Sequence, residues 1–142
     1  MRKFFIAMLF VLAPLSAALA QEVTGKWKLS DGTAIVEVYQ DGDIYNGKIV
    51  WLKNPTAPNG GPAVDKNNPD EQLRSRQLIG LNMLSNLKKK SAKEFTGGVI
   101  YDPGNGKTYY CSMEVDGTTL HVRGSLDNRG LLGRTMDWFR AE

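Results

Sequence analysis

One cysteine and one histidine in 142 residues leave little room for disulfide or histidine-metal chemistry. A single thiol, Cys111, cannot close an internal disulfide. A single imidazole, His121, excludes a multi-histidine metal site, and no nucleophile-and-base set accompanies it. Long apolar runs are also missing. The longest, Phe4 to Leu12, is too short to cross a bilayer as a helix. There is no β-α-β rhythm and no internal repeat, which argues against a parallel sheet or a solenoid. Basic excess is slight as well. The formal charge of +3 includes Arg2 and Lys3, so the chain beyond the leader carries about +1. Nucleic-acid binding needs clustered basic residues, and the densest run, Lys88-Lys89-Lys90 with Lys93 nearby, reads as a solvated turn. Contact with an acidic membrane surface is the alternative use of that run.

What is present begins with a leader. Arg2 and Lys3, the apolar run and Ala18-Leu19-Ala20 form a signal peptide over residues 1–20. Cleavage there leaves a single domain, 21–142, with no cysteine at its start for a lipid anchor. The protein is expected to be exported, into the periplasm if the source has two membranes and otherwise secreted.

The stretch from Phe95 to Gly124 organises the remainder. Three runs rich in β-branched and aromatic residues are separated by a turn at Asp102–Gly106 and by Asp116-Gly117, a strong hairpin signal. Tyr109, Cys111, Met113 and Val115 alternate with Thr108, Tyr110, Ser112 and Glu114, the period of a half-buried strand. Cys111 is therefore expected in the core rather than as a reactive thiol. His121 points opposite Leu120 and Val122, outward.

Earlier strands are expected over Thr24–Leu29, Thr33–Tyr39 and Ile44–Leu52. In the last of these Tyr45, Ile49 and Trp51 share a face, and the apolar end Ile49–Leu52 predicts cover on its far side. Lys53 to about Arg76, with four prolines, is a long loop acting as a lid or side wrap. Leu78, Leu81, Leu84 and Leu87 recur every three residues, which fits a short helix. Ile79 and Met83 blur that pattern, and the reading is a strand entering a helical turn. Leu131–Arg140 closes the chain. About eight antiparallel strands make the fold class all-β, a small lipocalin-like barrel.

Two resemblances support that architecture. Gly25-x-Trp27 with Arg140 after the last strand is similar to lipocalins, in which a basic side chain covers that tryptophan and plugs one end. The resemblance implies that Trp27, Trp138 and Arg140 are a structural cap. Across the chain, Gly47-x-Ile49-Val50-Trp51, Asp65-x-x-Asn68-Pro69, Leu78-Ile79-Gly80-Leu81, Gly97-Gly98-x-Ile100-Tyr101-Asp102-Pro103, Gly106-Lys107-x-Tyr109, Leu120-x-Val122-Arg123-Gly124 and Gly133-Arg134-Thr135-x-x-Trp138-x-Arg140 follow in order. This series resembles the exported bacterial family known as domain of unknown function 2147, which implies a small exported barrel and imports no reaction.

Lookalike motifs fall away. Gly106-Lys107-Thr108 lacks the leading glycine of a phosphate loop, since Tyr101 stands there. Asp65-x-Asn67 has Asp70 and Arg76 where a calcium loop needs glycine and glutamate. No cofactor and no metal are assigned. On alternation Arg134 shares the face of Trp138, so it should point inward and meet either an acid, Asp65 or Asp102, or the anionic head of a ligand. Asp102 also suits its own turn, through side-chain bonds to the backbone. The favoured function is a non-catalytic binding module for a small amphipathic or anionic molecule, with Arg134 as anchor, Tyr45, Trp51, Tyr109 and Met113 as walls, and Asp65 and Asp102 nearby. An envelope protein-interaction or structural module using the 53–76 loop is the alternative, and a hydrolase built on Asp65 and Asp102 the third reading.

Overall fold

Alternation of apolar and polar side chains carries the chain into eight antiparallel strands that close on themselves. The computed structural model describes residues 22–141, so the expected leader lies outside the described residues. The strands are β1 (Gly25–Leu29), β2 (Ala34–Asp41), β3 (Ile44–Leu52), β4 (Asn82–Lys89), β5 (Glu94–Asp102), β6 (Lys107–Asp116), β7 (Thr119–Ser125) and β8 (Gly133–Arg140). Each pairs with its sequence neighbour, and β1 pairs with β8 through Trp27↔Arg140 and Leu29↔Trp138, which completes the ring. The expected all-β, eight-stranded lipocalin-like barrel is the fold that forms.

The inner face is filled by side chains. Trp27, Val36, Val38, Ile49, Leu84, Leu87, Phe95, Met113, Val115, Leu120, Val122 and Trp138 are all buried in one cluster. Each aliphatic side chain so removed from water contributes about 1.5–3 kcal/mol. Cys111 lies in the same cluster, as its alternation predicts, and burial pushes its thiol up to about 12.

Three of the four register shifts between the strands account for the places where alternation misleads. Between β2 and β3 the register passes from Ile35↔Trp51 to Val36↔Ile49, so Val50 is an extra residue. The extra residue reverses the facing beyond it. Trp51 therefore points outward, 40% exposed, with Lys28 Nζ 5.3 Å above its ring. Trp51 is thus not a wall of the interior, and what covers its outer face is the Lys28 side chain of β1. Between β3 and β4, Tyr45↔Leu87 and Gly47↔Leu84 enclose one residue on β3 but two on β4. The surplus residue, Asn86, has φ +63°, and Asn46 Oδ1 accepts its N–H at 2.9 Å. This bulge turns Leu84 and Leu87 to the same side. The Leu84–Leu87 spacing is therefore a bulged strand, β4, with Leu78 and Leu81 in the irregular segment that leads into it, and the expected strand entering a helical turn is corrected accordingly. The third bulge, at Thr96-Gly97 in β5, lets Gly98 lie against Leu87.

Among the described residues the one helical segment, a 3₁₀ turn at Glu71–Leu73 capped by Asp70, sits inside the long loop. That loop is a side wrap. Its arms touch at Val64↔Gln77, and Leu81 O accepts the N–H of Ile49 at 2.9 Å. Asn67 Nδ2 donates to Pro103 O (2.9 Å) and Gly104 O (3.1 Å), which clips the wrap to the β5–β6 turn. Gly106, at φ +73°, permits the approach: a Cβ there would collide with Asn67 O.

Candidate functional site

The two ends of the barrel differ. At one, Arg140 lies over Trp27, guanidinium carbon to ring centre 3.9 Å. Its Nη1 donates to Thr24 O at 2.8 Å and its Nη2 to Glu22 O, while Trp27 Nε1 donates to Val23 O at 2.8 Å. Val23 is buried beneath. A cation stacked on an indole, with its N–H groups bound to carbonyls, gives a satisfied plug. Trp138 packs in the core beside it.

The opposite end carries the β1–β2, β5–β6 and β7–β8 turns and the wrap. Leu29, Leu52, Tyr109 and Met136 are half-buried there, against the core. Tyr109 OH accepts from Asn105 Nδ2 at 3.1 Å. Arg134 stands two residues beyond Met136 on β8, opposite Gly124, and is exposed. Alternation gave its side correctly but not its environment, because β8 runs past the packed layer at this rim. Arg134 is therefore not a buried guanidinium, and it forms no ion pair with Asp65 or Asp102. Asp102 instead accepts Gly104 N at 2.8 Å and shapes its turn. Tyr45 and Met113 are buried deep in the core, Tyr45 edge-on to Phe95 with ring centres 4.8 Å apart. Of the proposed binding set, Arg134, Tyr109 and the turn residue Asp102 lie at this end, and Tyr45, Met113, Trp51 and Asp65 do not line it.

Asp65 belongs to a different arrangement. It is fully buried (0% exposed) between the wrap and the outer wall of β5. Tyr101 Oη donates to its Oδ1 at 2.6 Å, and Asn68 Nδ2 and Arg76 Nη2 donate to its Oδ2 at 2.8 and 3.1 Å. Burial works to raise its pKa, but the bonds from Tyr101, Asn68 and Arg76 together prevail and hold the carboxyl below the usual range. Burial and the facing carboxylate push Tyr101 up to about 12. Tyr101 and Arg76 were missed as partners from sequence, since 36 and 11 positions separate them from Asp65. Asp65-x-x-Asn68 was the visible signal, a spacing suited to a side-chain-closed turn. A carboxyl held ionised and saturated with donors is a clamp, which gives no support to the hydrolase reading.

On the outer face of β7, His121 Nδ1 lies 2.6 Å from Asp137 Oδ1, with Glu114 opposite and Asp116 4.0 Å from Nε2. The bond to Asp137, aided by the neighbouring acids, raises its pKa. A raised pKa means that the protonated pair stabilises the fold below about pH 6.5 and that this is lost as pH rises through the folded value. Chemical denaturation of the wild type and Asp137→Asn should differ by up to about 1 kcal/mol near pH 5.5 and converge by about pH 8.5. A gap that widens with pH would refute the pairing. Among the described residues no group of three or more potential ligands could hold a metal.

The outer wall also bears two grooves. One, about 600 Å³, lies between Arg76, Gln77, Ile79, Asn82 and Ser85. The other, about 490 Å³, runs beneath the β7–β8 loop.

No curated protein matches the chain. A solved structure, protein HP1028 of Helicobacter pylori, described as belonging to the lipocalin family, is similar with a TM-score of 0.76 and 25% identity, over 85% of this chain and 84% of that one. The family model of uncharacterised proteins conserved in bacteria, DUF2147, matches residues 25–140, one strand end of the barrel to the other, and the chain belongs to that family.

Proposed function

We propose that the protein is an exported, non-catalytic binding protein that holds a small amphipathic or anionic molecule at the open end of its barrel. One observation carries the reading: the ends are unequal. The Trp27–Arg140 plug seals one, whereas the other presents half-buried Leu29, Leu52, Tyr109 and Met136 beneath the exposed Arg134. An apolar ring with one cation at its rim matches a ligand with an apolar body and an anionic head. The packed core limits such a ligand to the mouth. That same packing favours a second reading, a protein-interaction module in the cell envelope that uses the clamped 53–76 wrap.

Native mass spectrometry of protein taken gently from the exported fraction tests these readings together. The expected species is the chain from Gln21 plus an added mass that leaves on activation. Arg134→Ala should weaken retention roughly tenfold, the loss of one charge-assisted contact. A bare chain would overturn ligand binding, and a partner protein lost on deleting the wrap would establish the second reading.

A further inference from the structure

The β7–β8 loop, residues 126–132, displays its apolar side chains to solvent. Leu126, Leu131 and Leu132 are 71%, 73% and 66% exposed. The loop is nevertheless built. Leu126 N donates to Leu132 O, Gly130 N to Asp127 O, Ser125 Oγ to Asp127 O and Arg123 Nε to Gly130 O. Its one acid, Asp127, accepts the N–H groups of Leu131 (3.1 Å) and Leu132 (2.7 Å). The negative charge is thereby turned onto the loop's own backbone, and these donors need no water.

The surroundings are cationic and hydroxylic. Arg129 is exposed and has no ion-pair partner among the described residues. It lines the 490 Å³ groove with Lys90, Thr96, Tyr110 and Ser112, and no carboxylate residue lines it. Lys90 forms a solvent-exposed ion pair with Glu94 at 3.9 Å, which is weak enough to exchange for a phosphate. Tyr110, half exposed, faces outward at the root of the loop, opposite Ser125.

We propose that this loop docks the protein on an anionic phospholipid surface, its leucines entering the interface and the Lys90–Arg129 groove receiving a lipid phosphate. Satisfied backbone groups suit a low-dielectric interface, tyrosine favours the boundary, and arginine pairs with phosphate. The loop adjoins the Arg134 rim, but the groove lining does not include Arg134, and vesicle binding is read without any bound ligand, so the two proposals can fail independently.

Co-sedimentation of the chain from Gln21, which contains the whole closed barrel, with phosphatidylglycerol-containing vesicles provides the test. Retention is expected there, falling as salt rises, and not with phosphatidylcholine alone. Leu131→Asp/Leu132→Asp should weaken retention at least about tenfold, and Arg129→Ala about fivefold. Lys88→Ala/Lys89→Ala, outside the groove, should change little. Leu131→Ser repeats the test at an exposed position should the double aspartate disturb folding. Equal retention on both vesicle types, or none, would overturn the proposal. So would a folded double variant that binds unchanged. A dimer abolished by the double variant, without vesicle binding, would assign the leucines to self-association instead.

Discussion

Trp27→Ala is expected to lower the unfolding free energy by about 4 kcal/mol and the melting temperature by about 15 °C. The indole is fully buried and its removal leaves a void that strands can only partly close. Two further losses follow. Arg140 loses the ring it stacks on at 3.9 Å, and Val23 O loses the indole N–H at 2.8 Å. Trp27→Phe restores most of the apolar volume and should cost about half as much, leaving chiefly the missing hydrogen bond and residual volume. Arg140→Ala should cost about 1–2 kcal/mol, since its head is partly solvated and its gains are one cation–π contact and its carbonyl bonds. Thermal and urea unfolding of the three variants would check the order. A Trp27→Ala protein within about 1 kcal/mol of wild type would mean the plug is dispensable.

Asp65→Ala should cost about 3 kcal/mol, measured the same way. The carboxylate is the common acceptor for Tyr101, Asn68 and Arg76. Deleting it strands the Tyr101 hydroxyl and the Asn68 amide without a partner under the wrap. Arg76 is about half exposed and can recover water, so the loss stays below that of a wholly buried ion pair. Tyr101→Phe, which removes one donor and leaves two, should cost about 1–2 kcal/mol. The pH dependence has a definite sign. Because the folded carboxyl lies below its ordinary value, its contribution is present above about pH 4 and fades as pH falls through the folded value. Asp65→Asn should therefore have a shallower acid transition than wild type. An equally steep one would show that Asp65 is not the group being protonated.

These two sites differ in how far the sequence exposes them. The plug was legible because Gly25-x-Trp27 and Arg140 resemble a known arrangement and lie on neighbouring strands of any closed eight-stranded ring. The strand count, the inward Cys111, the outward His121 and the wrap were legible from alternation and proline content. Trp51 and the leucines of β4 were not, because one surplus residue at Val50 or Asn86 reverses or doubles a facing without changing composition. Arg134 shows a subtler limit: a side can be read from parity, but not whether a strand outruns the packed layer. The Asp65 clamp joins a loop to a strand 36 positions away, and local spacing carries no trace of that partner.

The β1–β8 seam has a consequence for how the molecule comes into being. Its two strands lie at opposite ends of the sequence, and Arg140 bonds to carbonyls 116 and 118 positions before it. A chain emerging from the ribosome N-terminus first can zip successive hairpins early. It cannot complete the ring until the last strand is free. Until then β1 and the growing sheet each present an unpaired edge, the kind of surface on which chains add to one another. Closure waits on β8, and that strand decides whether the two edges are paired with each other or left as a template for aggregation.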